Sequence, residues 1–208
     1  PRAPARYVVF DFETNGLGKT SNIRVCQVGA TALTGNFDVI DHFSHFVNPL
    51  AKLDKQAANV NGLDADFVAQ FDSWETVGMN FMMWIDLMRN ADQEHNPITM
   101  LAHNGKRFDA RILVAENVRH GIEMPRNLHH ADSIDVMKTL FPDQNSYSLG
   151  HVYRDIIGCE LPDAHDAMAD VAGVIKVLQR GYTGALKTAI AKHQESFNHI
   201  TKRALKVT

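Results

Sequence analysis

Residues 162–170, PDAHDAMAD, gather Asp163, His165, Asp166 and Asp170. Carboxylates are hard oxygen ligands for divalent cations, and imidazole exchanges protons near neutrality. Such a set could support metal-assisted hydrolysis. Spacing alone does not assign the roles. In a helix covering 165–181, Asp163 behind Pro162 is the N-cap and Asp166 a first-turn acid favoured by the helix dipole. Asp170 lies a turn further on, among Ala, Met and Val, without an obvious structural purpose. His165 and Asp170 would then stand about 140° apart at 3.6 residues per turn, poor joint ligands of one ion. Asp166 and Asp170, four apart, would be the better pair.

Two further places carry acids at the end of an apolar run. Asp11 and Glu13 close RYVVFDF (6–12) and its continuation, and positions i and i+2 of a strand share a face. They are either two solvated acids at a strand end or a pair that a divalent cation bridges, since two buried carboxylates repel. In AHNGKRFDARIL (102–113), Asp109 enters a helix. It is either a first-turn acid or a ligand. His129 and His130 adjoin Asp132, a tempting metal cluster, but polar residues at a strand edge account for them.

The elements that must position these residues follow from periodicity. RYVVFDF, RVCQVGATAL (24–33) and FDVIDHFSHFVNP (37–49) read as strands, the last two as a hairpin around TGN. VNGLDADFVAQ (60–70) reads as a turn and a short helix. WETVGMNFMMWIDLMRN (74–90) has helical apolar spacing, so its Met and Trp stripe is core. ITMLAHN (98–104) is a buried strand, followed by a helix over 107–121. NLHHADSI (127–134) runs from strand into helix, 147–158 and 165–181 are helical, and 184–207 is one amphipathic helix with a basic end. Strands first, then alternating helix and strand, predict an α/β layered fold in one domain over 1–208, with a core over about 7–181.

The chain has 208 residues, 45% of them hydrophobic, and a formal charge of −3. It can bury a sizeable core and lies outside the disordered regime. The absence of a basic excess argues against avid duplex binding through phosphates alone. It leaves room for a local basic patch, or for an acidic site that meets phosphate through metal ions. Cys26 and Cys159 lack zinc spacing, which fits a reducing compartment, cytosol or nucleus. No leader, membrane anchor or membrane partner is expected.

Four segments in order, DFETNGLG, LAHNGKRFDARIL, SYSLGHVYRDIIG and DAHDAMAD, resemble the DEDDh family of 3′-to-5′ exonucleases, and within it the three-prime repair exonucleases of the TREX type. The resemblance runs from about Tyr7 to about Leu178. The family's Asp-x-Glu, Asp and His-x4-Asp fall on Asp11, Glu13, Asp109, His165 and Asp170. It implies the ribonuclease-H-like three-layer fold, with a mixed central sheet of about five strands. It implies two Mg²⁺ ions, with Mn²⁺ substituting. Asp11, Glu13 and Asp170 would hold one ion, Asp11 would also face the other, which Asp109 would hold directly or through water, and His165 would be the general base. The products would be nucleoside 5′-monophosphates.

The same resemblance gives further residues a part in substrate binding. Leu17 would wedge against the terminal base, and Thr14 and Asn15 would line the pocket of the last nucleotide. His103, Asn104 and Phe108 flank the second motif, and Tyr147 and Ser148 belong to the SYSLG element. For Leu17, Phe108 and Tyr147, core packing is the competing account. Gln144 and Asn145 stand where the TREX pattern often has basic residues, which implies a weaker phosphate grip. The implied partner is nucleic acid with a free 3′ end, single-stranded DNA favoured, with duplex DNA or RNA as a second substrate. A homodimer is the common state of the TREX type. The alternative is a catalytically weak nucleic-acid-binding module on the same fold.

Overall fold

The apolar run Tyr7–Thr14 forms β1, because its β-branched and aromatic residues suit a strand covered on both faces. β1 pairs antiparallel with β2 (Val25–Leu33), which is buried along its whole length, and β2 with β3 (Val39–Phe46). On its other side β1 runs parallel to β4 (Ile98–Ala102), and β4 to β5 (Leu128–Asp132). A two-residue strand, β6 (Glu195–Ser196), pairs antiparallel with β5 and completes the order β3-β2-β1-β4-β5-β6. The computed structural model describes residues 3–89, 97–181 and 183–204, the side chains of 202–204 excepted.

The helices are α1 (Lys55–Asn61), α2 (Ala65–Val68), α3 (Trp74–Met88), α4 (Asp109–His120), α5 (Ser133–Leu140), α6 (Leu149–Ile157), α7 (Ala167–Gln179), α8 (Thr183–His193) and α9 (Phe197–Ala204). Alternation along β1 divides the core between the two faces of the sheet. Val8, Phe10 and Phe12 pack beneath α3, α4 and α9, against Trp74, Phe81, Leu113 and Phe197. Val9 faces the other way, under α5 to α8, with Leu101, Val136, Val171 and Leu186. This is the expected three-layer α/β arrangement, with six strands among the described residues in place of about five.

The structure departs from expectation in two places. The helix over 184–207 is broken: α8 ends at His193, β6 follows, and α9 starts at Phe197. Pairing decides this. Glu195 and Ser196 lie opposite His130 and His129 on β5, and the Thr99 hydroxyl donates to Gln194 Oε1 at 3.0 Å. Edge groups of β5 left open by a continuous helix are satisfied instead. Residues 205–207 of the expected helix, and Asn90 of the 74–90 helix, lie outside the described residues. Second, α1 has no counterpart in the sequence reading. Asp54 caps it by accepting from Gln56 N at 2.7 Å, and Gly62, with φ 68°, ends it in the left-handed region.

α7 crosses β1 and β2. Gly29, directly opposite Asp11, lets it approach: a Cβ there would lie 2.7 Å from the Ala167 carbonyl carbon and 2.8 Å from Met168 N. Both neighbours are helix backbone and cannot turn aside. Gly29→Ala should therefore cost about 1–3 kcal/mol as overpacking and lift the start of α7 from the sheet. Denaturant unfolding checks this; a variant as stable as the parent would show that α7 is not held this closely.

Candidate active site

Asp11 and Glu13 leave β1 on the same face, at the carboxyl end of the strand, where parallel α/β sheets expose their crevices. Asp109 is the first residue of α4 and is buried. Its Oδ1 accepts from Phe12 N at 3.2 Å, so the carboxylate of α4 is held by the amide between the two acids of β1. Asp170 stands in the first turn of α7. Asp11, Glu13, Asp109, Asp170 and His165 line one cavity of about 500 Å³. Ligand atoms of Glu13, His165 and Asp170 lie within 4.8 Å of one another.

His165 reaches this place because it is not in the helix. Asp163 and His165 have φ of 49° and 71°, in the left-handed region, and α7 starts only at Ala167. The expected cap at Asp163 is thus corrected: Asp166 is the N-cap, its Oδ1 accepting from Met168 N at 3.1 Å and Ala169 N at 3.0 Å. A non-glycine residue at positive φ is uncommon, and the two here turn the chain so sharply that the helix cannot begin earlier. The 140° separation of a regular helix therefore does not apply, and Asp166 is occupied as a cap rather than paired with Asp170.

Burial and mutual repulsion act together on the acids. The Asp11 carboxyl is raised well above its ordinary range, first by burial, then by Asp109, Asp170 and Glu13. Glu13 is pushed up to about 8 by burial and by Asp170 and Asp109, with Asn61 opposing. Asp109 rises to about 7, chiefly by burial, against the hydrogen bond from Phe12. Asp170 is raised by burial, partly offset by its contacts with His165. Asp170 Oδ1 is buried without a hydrogen-bond partner. Crowded acids with an orphaned oxygen, all hard donors, fit divalent cations.

Other expected binding residues divide by geometry. Thr14, Leu17, His103, Asn104 and Phe108 line the cavity. Leu17 is 85% exposed, which removes core packing as its explanation. Asn15 points elsewhere: it donates to Lys52 O at 3.1 Å and accepts from Arg24 N at 2.7 Å, stitching the exit of β1 to the loop before α1. Tyr147 and Ser148 do not line the cavity: Ser148 is exposed, and Tyr147 stands behind His103. The Tyr147 hydroxyl donates to Phe141 O at 2.6 Å, and its carbonyl accepts from His103 Nε2 at 2.8 Å. With Ser133 Oγ 2.9 Å from Nδ1, both ring nitrogens of His103 are engaged, and burial lowers its pKa. His103 is a neutral strut.

Asp132 is spent on backbone. It accepts from Asn104 N at 3.1 Å, Lys106 N at 3.0 Å and Ile134 N at 3.0 Å, fixing the loop that carries His103 and Asn104. His130 is fully buried near Phe10 and Phe197, its pKa pushed down to about 3 by burial. The two form no metal site. The sequence reading missed the opposite wall of the cavity, where α1 and its cap bring Asp54, Gln56, Ala57, Val60 and Asn61. Asn61 Nδ2 donates to Thr14 O at 3.2 Å and so ties this wall to β1. The available signal was the Asp54 cap and the Asn61-Gly62 stop.

Residues 8–178 match the family model described as Exonuclease, RNase T. The chain belongs to this exonuclease family. It is 24% identical over 193 residues to the DNA polymerase III PolC-type protein of Bacillus cereus, covering 93% of this chain and 12% of that one. It is 29% identical over 181 residues to the chloroplastic/mitochondrial exonuclease DPD1 of Arabidopsis thaliana, covering 83% of this chain and 55% of the relative. It is 33% identical over 105 residues to three-prime repair exonuclease 1 of Bos taurus, covering 46% and 33%. The chain thus spans only part of the length of these relatives. E. coli exonuclease I in complex with a dA16 oligonucleotide shares the fold, with a TM-score of 0.68, 21% identity and coverage of 88% of this chain and 42% of that one. Among the described residues, no helix is long and apolar enough to cross a membrane.

The raised carboxyl groups of this exonuclease domain dictate a sign for its pH dependence without metal. Glu13 titrates from an ordinary 4.5 to about 8 on folding, so between these values the unfolded chain has lost a proton that the folded chain keeps. Stability contributed by the protonated acid is full below 4.5 and is lost as pH rises to about 8. Denaturant midpoints in chelator should fall across that window, and Mg²⁺ should raise them most at its alkaline end. A flat metal-free profile would show that the acids are not crowded as described.

Proposed function

We propose that the domain is a divalent-metal-dependent 3′-to-5′ exonuclease that removes nucleoside 5′-monophosphates from single-stranded DNA. One observation carries the reading: four carboxylates and an imidazole converge on one cavity, with Asp170 Oδ1 unpartnered. Asp11, Glu13, Asp109 and Asp170 would hold two cations, Mg²⁺ or Mn²⁺. Bound there, these would neutralise the acids and the scissile phosphate and make a bound water more acidic. His165, exposed at the cavity rim, accepts a proton from the attacking water. The water oxygen bonds to phosphorus, the bond from phosphorus to the 3′ oxygen of the preceding nucleotide breaks, and that oxygen leaves with the bonding electrons and takes a proton from solvent water to become the new 3′-hydroxyl. Leu17 and Phe108 offer apolar surface to the terminal base, which makes binding tolerant of sequence. The names of the relatives support the direction, and the oligonucleotide complex of E. coli exonuclease I supports DNA.

A 5′-labelled DNA strand should give a ladder of products shortened one nucleotide at a time with Mg²⁺ or Mn²⁺ and none in excess chelator. A 3′-phosphate should block it. Matched RNA and duplex substrates rank the preferences. Cleavage of a closed circular strand, or full activity in chelator, would sink the proposal.

The two residues that flank the Asp166 cap should separate by readout. Asp170→Asn should weaken cation binding and nearly abolish turnover. His165→Ala should leave all four carboxylates in place, so cations still bind while single-turnover rates fall roughly 10²- to 10⁴-fold. Normal rates in His165→Ala would remove its role as base.

A further inference from the structure

Gln27 is a buried amide in the middle of a sheet, where polar side chains need partners. Its position is special in three ways. It lies directly opposite Glu13 across the β1–β2 ladder. It is two residues from Gly29, on the same face, where the backbone of α7 leaves no room for a Cβ. Both ends of its amide are engaged by the start of α7: Nε2 donates to Asp166 Oδ2 at 2.8 Å, and Oε1 accepts from Ala167 N at 3.3 Å.

The first four amides of α7 are thereby accounted for. Gln27 takes Ala167, the Asp166 carboxylate takes Met168 and Ala169, and the Asp166 carbonyl takes Asp170 N at 2.9 Å. A helix start this fully satisfied has one position on the sheet. His165 immediately precedes the cap and Asp170 follows it by one turn. The chain before the cap is held at positive φ at His165, a conformation that persists only where surrounding contacts enforce it.

We propose that Gln27 is the positioning residue that sets His165 and Asp170 against the acids of β1, through the Asp166 cap. This rests on the exonuclease reading for its consequence in turnover, but not for its consequence in cation binding. Gln27 itself touches neither the substrate nor a cation. It acts as an outer partner whose donor and acceptor fix where the inner groups stand, and loss of such a partner typically costs about 10–100-fold in metal affinity or activity.

The pair can be exchanged. Gln27→Glu alone sets two carboxylates against each other. Asp166→Asn alone sets an amide nitrogen against the Gln27 donor. In the double variant Gln27→Glu/Asp166→Asn, the asparagine amide donates to the new carboxylate, which also accepts from Ala167 N, and the formal charge of the parent is kept. Mn²⁺ affinity by calorimetry, kcat and KM on a 5′-labelled DNA strand, and thermal midpoints should be measured for the parent, both singles, the double and Gln27→Met.

Gln27→Met and Gln27→Glu should each lower Mn²⁺ affinity and kcat about 10–100-fold. The KM for DNA should change less than about threefold, because the strand contacts are untouched. The double variant should recover most of both losses. If Gln27→Met lowers only the thermal midpoint, or the double is no better than Gln27→Glu, Gln27 is merely structural and the inference falls. If the parent binds Mn²⁺ but does not cleave DNA, the exonuclease reading falls and the affinities still decide this one. Failure of the parent to bind Mn²⁺ overturns both.

Discussion

The crowding of partly buried carboxylates is the constraint around which this domain is arranged. Burial raises the proton affinity of Asp11, Glu13, Asp109 and Asp170, and repulsion from neighbouring acids adds to it, so the folded chain holds them together at a cost in stability. Something must keep them from moving apart. For Asp11 and Glu13 it is a strand bonded on both sides, for Asp109 the amide of Phe12, and for Asp170 a helix laid across β2 at a glycine. Each restraint is backbone or reaches backbone, and backbone gives way least. The apolar layers on both faces of the sheet supply the stability against which this arrangement is held.

The division of labour between rigid and adjustable parts follows. The carboxylates sit on regular elements, whereas His165 sits on a loop, exposed and in a strained conformation. A cation-binding group gains from being fixed before its ligand arrives. A group that exchanges a proton with a water gains from access. The wall formed by α1 is intermediate: it has no fully buried residue and is attached through Asp54, Asn15 and Asn61.

Much of the architecture was legible in the sequence because apolar period and strand length agree for β1, β2, β4, α3 and α7. The i, i+2 relation of Asp11 and Glu13 could be read directly. Asp109 could not be told from an ordinary first-turn acid, since what singles it out is an amide 97 positions away. The reading of 165–181 as one helix gave His165 a wrong neighbourhood, because positive φ at a histidine leaves no mark in composition. α1 was invisible to periodicity, as KQAANVN buries no residue fully. Gln27 looked like one polar residue in a strand; its partners lie 139 and 140 positions away. The helix over 184–207 failed for a related reason, since the two residues that break it answer an open sheet edge rather than any local preference.

That small strand β6 also closes part of one rim of the sheet. It carries the polypeptide from the layer of α8 to that of α9 and shields part of the β5 edge on the way. Among the described residues, β3 then presents the long outer edge of the sheet. Its sequence VIDHFSHF interrupts the apolar residues with Asp41, His42, Ser44 and His45, and a β-bulge shifts its register at Ala32/Leu33. Charge and irregularity are what discourage backbone-to-backbone addition of a foreign strand. The two rims of the sheet are thus guarded against aggregation by different means, one by self-complementation and the other by its side chains.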